Sequence, residues 1–277
     1  MFDLSGMTAL VTGGGRGLGF EMAKALARAG ATVMINGRNE AALDMARHKA
    51  ASDGIAFDIV AGDVSTDAEK IVAAAAGKTG QLDVVIHAVG ERDRRGTDVM
   101  DPAAFATLVN TDLTAAYAMA RAALPYFRRS SSARLIFVTS IAASVARPGD
   151  PAYTAAKGGL DALTRSLAVE LGSATLTVNA IAPGWFATET NAALASDQAL
   201  QAFVDIRIPL KRWGRPEEIA GCRLPGLACR QLRQWHHLDG GRGHDRADVN
   251  VIVDNLPGPA AAFGIRLGAV CLDPECV

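Results

Sequence analysis

Three residues of this chain have the types and the spacing of a proton-transfer device. Ser140 closes the run RLIFVTS, Tyr153 follows thirteen positions later in YTAAK, and Lys157 stands four residues beyond the tyrosine. A separation of four on a helix puts the tyrosine and the lysine on one face. A phenol with an ordinary pKa of about 10 is a poor base at neutral pH, but a cation held beside it favours the phenolate. Tyr153 can then exchange a proton with an alcohol or a ketone. Ser140 is suited to hydrogen-bond the same substrate oxygen, a role of orientation, which is what hydride transfer chiefly needs. Asn110, in LVNTDLTAAY, has two readings: a fourth member holding a water behind Lys157, or a helix residue bonded to backbone.

A second constellation lies near the N-terminus. Thr12-Gly13-Gly14-Gly15-Arg16-Gly17-Leu18-Gly19 joins the strand-like TALVT to the helix-like FEMAKALARAG. Residues without a Cβ let a strand-to-helix turn approach a pyrophosphate, whose charge then rests on the free N–H groups of the helix. The alternative is a plain tight turn. The next strand ends in Asn36-Gly37-Arg38, where an NAD site would carry an acid for the ribose hydroxyls. That acid is missing, and Arg16 and Arg38 can instead clamp a 2'-phosphate. NADP(H) is therefore expected over NAD(H), the alternative being two solvated surface arginines.

The elements that must position these groups are legible as alternation. Six β-branched runs (TALVT, ATVMIN, AFDIVAGDV, LDVVIHAVG, RLIFVTS and LTVNAIAP) are separated by Ala-rich stretches of helical length. Parallel strands need such crossovers and are buried on both faces. The expected fold is α/β: a single-domain, Rossmann-type, doubly wound parallel sheet with helices on both faces, over residues 1–221. Of 277 residues, 49% are hydrophobic and 21% charged, and the formal net charge of -1 leaves no basic excess for nucleic acid or an anionic membrane. The start of the chain lacks a secretory pattern, and no run of about 18 apolar residues occurs. A cytoplasmic protein with a small-molecule partner is expected. The four cysteines (Cys222, Cys229, Cys271 and Cys276) all fall late in the chain and imply no disulfide framework.

Taken together, TGGGRGLG, Asn110, Ser140, YTAAK and NAIAPG resemble the short-chain dehydrogenase/reductase family from residue 3 to about residue 221. The resemblance implies Asn110, Ser140, Tyr153 and Lys157 as the catalytic set. It implies Gly13, Arg16, Gly17, Leu18, Gly19 and Arg38 at the phosphates, and Asp63, Val64, Ala88 and Gly90 around the adenosine. Tyr153 and Lys157 would meet the nicotinamide ribose, and Pro183, Gly184 and Thr188 the nicotinamide end. It also implies a homo-oligomer, tetramer or dimer, if the C-terminus is intact. No metal is implied. One departure stands out: the family's usual Asn-Asn-Ala-Gly after the fourth strand is His87-Ala88-Val89-Gly90 here. His87 reads as a satisfied buried or cofactor-lining histidine, not as a catalyst.

The opening MFDLSG, the NGR of the second strand and the segment PGWFATETNAALASDQALQAFVDIRIPLKRWGRPEEIAG resemble the branch of the family that interconverts D-gluconate and 5-dehydro-D-gluconate. A polyol acid needs a cation for its carboxylate, and Arg92, Arg94, Arg95 and Arg147 all fall in loops near the expected mouth. Trp185 and Phe186 either line the pocket or pack beneath it. The alternatives are a 3-oxoacyl-carrier-protein reductase or a general ketone reductase and, from another class, a catalytically silent nucleotide-binding or damaged protein.

After Gly221 the pattern breaks. CRLPGLACRQLRQWHHLDGGRGHDRADVN has neither helical nor strand periodicity, so residues 222–277 read as an atypical tail with the last strand disrupted. Read one base late from Cys222, permissible codons restore Ser-Tyr-Val-Asn-Gly and then Leu-Thr-Val-Asp-Gly-Gly-Met-Thr, the ending the family would have. A one-base shift near codon 221 is the expected origin. The rival, a zinc site of Cys222, Cys229, His236 and His237, has suitable ligand types at a spacing that fits no usual pattern.

Overall fold

A computed structural model describes residues 3–208 and 210–221. Six parallel strands form one sheet in the order β3-β2-β1-β4-β5-β6: β1 Thr8–Thr12, β2 Thr32–Gly37, β3 Asp58–Ala61, β4 Val84–His87, β5 Ala133–Val138 and β6 Leu176–Ile181. All six expected strands are present, and the order reverses between β1 and β4. That reversal opens a crevice at the carboxyl ends of the strands, the usual ligand position in such sheets.

Alternate strand residues feed two cores. Leu10, Val85, Leu135, Phe137 and Val178 face α3 (Ala68–Gly77), α5 (Ala115–Phe127) and α6 (Pro151–Leu171), against Ile71, Met119 and Leu160. Ala9, Val11, Ile35, Val84, Ile86 and Ile181 face α1 (Gly17–Arg28) and α2 (Glu40–Ser52), against Phe20, Met22, Leu26 and Leu43. The period of two thus sends each strand into both layers, which is why the runs read as continuously apolar. The doubly wound expectation holds across the described residues.

Two irregular stretches shape the crevice. A helix begins as α4 (Pro102–Val109), widens into a π turn at Asn110–Thr114 and continues as α5. Asp101 caps it by accepting from Ala104 N at 2.8 Å, and Pro102 takes the first turn, where its missing N–H is harmless. After β6 the chain runs through short turns, α7 (Ala192–Ala195) and α8 (Gln198–Arg207). It returns by a bridge between Phe186 and Gly214, and Ile219 packs onto the α1 layer. Among the described residues, no helix is long and apolar enough to cross a membrane. The tail, with its proposed frame shift and the rival zinc ligands, lies outside the described residues.

Candidate active site

Thr12, Asn36 and His87 are paired across the sheet at the carboxyl ends of β1, β2 and β4. From Thr12 the chain turns directly into α1. At Gly13 φ is +66°, and a Cβ would stand 2.9 Å from the Ala88 carbonyl oxygen; at Gly19 it would stand 2.4 Å from the Gly13 oxygen. Side chains at either position would fill the space between the loop and the helix. No acidic residue occupies the first turn of α1 and no side chain caps it, which leaves its first amide groups open to an anion. These residues fit a dinucleotide. Leu18 packs against the α1-side core. Thr188, buried, closes over the loop: its Cγ2 would lie 3.6 Å from a Cβ at Gly17.

Residues expected around the adenosine follow β2 and β3. Asn36, at the end of β2, donates to the Val60 and Gly62 carbonyls at 2.9 and 3.1 Å, tying β2 to the end of β3 and the turn after it. Asp63 accepts from the Ser65 hydroxyl and amide at 2.7 and 2.9 Å, bonds that hold its carboxyl below the usual range. Val64 is buried in the core. Arg16 is exposed at the start of α1. Arg38 is also exposed, but it is not a free cation: its guanidinium pairs with Glu91 at 2.7 Å.

The catalytic expectations fall on three adjoining elements. Ser140 follows β5 and caps a short 3-10 turn, its Oγ accepting from Ala142 N at 3.1 Å. Tyr153 and Lys157 lie in the first turns of α6, with the ammonium 5.8 Å from the centre of the tyrosine ring. Lys157 is buried and donates to the Val89 and Val138 carbonyls at 3.2 and 3.1 Å. Gly90 leaves it room, since a Cβ there would come within 3.0 Å of Nζ. Pro183 O accepts from Ile141 N at 3.2 Å, tying the loop after β6 to the serine turn. Gly184, next in that loop, is exposed.

Asn110 is not brought to this group. It is exposed at the start of the π turn, whereas Asp112, two residues on, is fully buried with Oδ2 3.7 Å from Lys157 Nζ. Its Oδ1 accepts from Glu91 N at 2.7 Å. Burial pushes the Asp112 carboxyl above its ordinary value, against the attraction of Lys157. Asp112 lies four after the buried Leu108, so it shares that inward face while Asn110 does not.

His87 is buried as expected but only half satisfied. Nδ1 lies 3.0 Å from Thr12 Oγ1, while Nε2 has no partner among the described residues. Burial, and then the Lys157 charge, lowers its pKa to about 3, so the ring is neutral.

Beyond Tyr153 stands a cluster of arginines. Arg92 lies over the tyrosine ring at 4.6 Å and grips Asp150 with Nε and Nη2, the Nε contact being 3.0 Å. Arg147 Nε reaches the same carboxylate at 2.7 Å and lies over Trp185 at 5.5 Å. Burial pushes the Asp150 carboxyl up, but the bonds and charges of both arginines more than offset it and leave it low. Arg94 is held below its ordinary value by burial and then by repulsion from Arg92 and Arg147; its Nη2 donates to Asn191 Oδ1 at a long 3.5 Å. Arg95 turns away and pairs with Asp93. Trp185 is half-buried and stacks edge-on with Trp213 at 5.0 Å, whereas Phe186 belongs to the core. Sequence reasoning missed Asp150 and Asp112. For Asp112 the signal was its position four after Leu108, a buried helix residue.

The family described as enoyl-(acyl carrier protein) reductase matches residues 13–224. Gluconate 5-dehydrogenase of Gluconobacter oxydans (strain 621H) is 34% identical over 227 residues, 81% of this chain and 88% of the relative. The 3-oxoacyl-[acyl-carrier-protein] reductase of Synechocystis sp. is 32% identical over 80% of this chain and 89% of its own length. A gluconate 5-dehydrogenase from Burkholderia cenocepacia J2315, solved in complex with NADP and tartrate, superposes with a TM-score of 0.76 at 30% identity. That match covers 83% of this chain and 90% of the other.

Proposed function

The chain belongs to the short-chain dehydrogenase/reductase family, and from that membership we propose that it interconverts D-gluconate and 5-dehydro-D-gluconate with NADP(H). It is an oxidoreductase of secondary alcohols and ketones. The observation that carries the substrate is the arginine cluster: Arg92 and Arg147 share one carboxylate, Asp150, beside Tyr153, and Arg94 lies near enough to feel the charge of both arginines. The excess positive charge suits a carboxylate on the substrate, and guanidinium groups bind carboxylates through paired donors. Relatives named for gluconate or ketogluconate support the same choice.

NADP(H), when bound, supplies or accepts the hydride. The glycine turn and the amides of α1 would hold its pyrophosphate, and Arg16 and Arg38 its 2'-phosphate. Because the Ser140 Oγ already accepts from Ala142 N, its own hydrogen is available to a substrate oxygen. Tyr153 Oη gives a proton to that oxygen in reduction and takes it back in oxidation. Two of the three Lys157 donors are spent on carbonyls, which fixes the ammonium beneath the tyrosine. Arg94 is left to meet the carboxylate. The same reading takes the enzyme as a cytoplasmic homo-oligomer.

The test is NADPH consumption with 5-dehydro-D-gluconate and with an acetoacetyl thioester, using the chain as written and a version restored by one base at codon 221. Turnover of the sugar acid above the thioester supports the proposal, and the reverse preference makes the protein a 3-oxoacyl reductase.

A further inference from the structure

We propose that Glu91 sets the cofactor preference of this chain by competing with the 2'-phosphate of NADP(H) for the guanidinium of Arg38. The inference rests on the NADP(H) reading above. In the sheet β2 and β4 flank β1, so the loops that follow them stand on either side of the glycine turn. Arg38 directly follows β2, and Glu91 follows the short stretch after β4. Their contact at 2.7 Å therefore spans the carboxyl end of β1, over the mouth a dinucleotide must enter.

Glu91 is held there by its backbone. Its N–H donates to Asp112 Oδ1 at 2.7 Å, and Asp112 is itself buried against Lys157. The side chains are less constrained, with 65% of Arg38 and 41% of Glu91 exposed. Arg38 also lies close enough to Asp63 for its charge to help lower that carboxyl. In the free protein one of the two cations assigned to the 2'-phosphate thus already has an acid upon it. A dianionic phosphate must displace the Glu91 carboxylate, and an exposed ion pair yields at modest cost. NADH, without that phosphate, has no need of Arg38 and incurs no such penalty.

The test is a double-mutant cycle read by cofactor binding on the full chain, without turnover. Dissociation constants for NADPH and NADH are measured by nucleotide fluorescence for the native chain, Glu91→Gln, Arg38→Gln and the double variant. Glutamine keeps the backbone bond to Asp112 and removes only the charge. The expected result is a preference for NADPH that rises about two- to fivefold in Glu91→Gln and does not rise when Gln already stands at 38. Glu91→Ser, a second neutral variant, moves the ratio the same way. An unchanged ratio in both overturns the proposal. So does an equal rise with Gln at 38, which would mean direct repulsion of the phosphate. A native chain with no preference for NADPH overturns the NADP(H) reading together with this inference.

Discussion

Asp112 Oδ2 lies 3.7 Å from Lys157 Nζ with both side chains buried, and Asp112 Oδ1 accepts the Glu91 amide at 2.7 Å. One carboxylate therefore ties the loop after β4 to the lysine beside Tyr153. Under the proposed mechanism Asp112 acts through Lys157, as a positioning residue.

Its charge should be visible in the pH dependence. Burial raises the Asp112 carboxyl, so its protonation on acidification begins at higher pH than for a free aspartate. Asp112→Asn keeps an acceptor for the Glu91 amide and removes the titration. The native kcat/KM profile is expected to show an acid limb that is absent or displaced to lower pH in Asp112→Asn, with similar melting curves. Superimposable profiles would reduce Asp112 to a packing residue.

His87 should make the fold acid-sensitive. Its folded pKa of about 3 lies below the ordinary 6.5, so between those values the unfolded chain binds the proton and the native state does not. The stability it contributes is present above pH 6.5 and is lost as pH falls toward 3. At about pH 4.5 the loss relative to pH 7 is of order 3 kcal/mol, or roughly 5–10 °C in Tm. His87→Asn should flatten that part of the Tm profile; an undiminished acid loss in the variant would assign it elsewhere.

Removing the least committed arginine should act on the substrate's charge. Arg94→Gln is expected to raise KM for 5-dehydro-D-gluconate by about 10- to 100-fold, while an uncharged ketone of similar size is little affected. Equal losses on both substrates would mean that Arg94 supports the loop and does not read the carboxylate.

The tail makes a prediction at the level of the gene. The family match ends at residue 224, close to the break after Gly221. Resequencing the coding DNA is expected to show a one-base shift near codon 221 relative to the genes of relatives. A conserved frame through that codon would refute the frame-shift origin.

The sheet and the placing of Ser140, Tyr153 and Lys157 on adjoining elements were legible because short-range rules govern them. Burial on both faces makes each strand an apolar run, and a spacing of four fixes Tyr153 and Lys157 to one helix face. The third strand is shorter than its apolar run, since only Asp58–Ala61 pairs with β2. Asn110 is exposed, and the inward position is Asp112, four after the buried Leu108, a helical spacing that was open to reading. Four arginines were visible in loops, but only the fold decides that Arg92 and Arg147 share Asp150 while Arg95 turns to Asp93. The Arg38–Glu91 pair joins residues far apart in sequence and carried no local signal.

The central claim is that Tyr153 moves the proton. The most direct measurement is single-turnover reduction of 5-dehydro-D-gluconate by bound NADPH in the native enzyme and in Tyr153→Phe. The account predicts a rate about 10²- to 10⁴-fold lower in the variant, with NADPH still bound. An unchanged rate in Tyr153→Phe would contradict it.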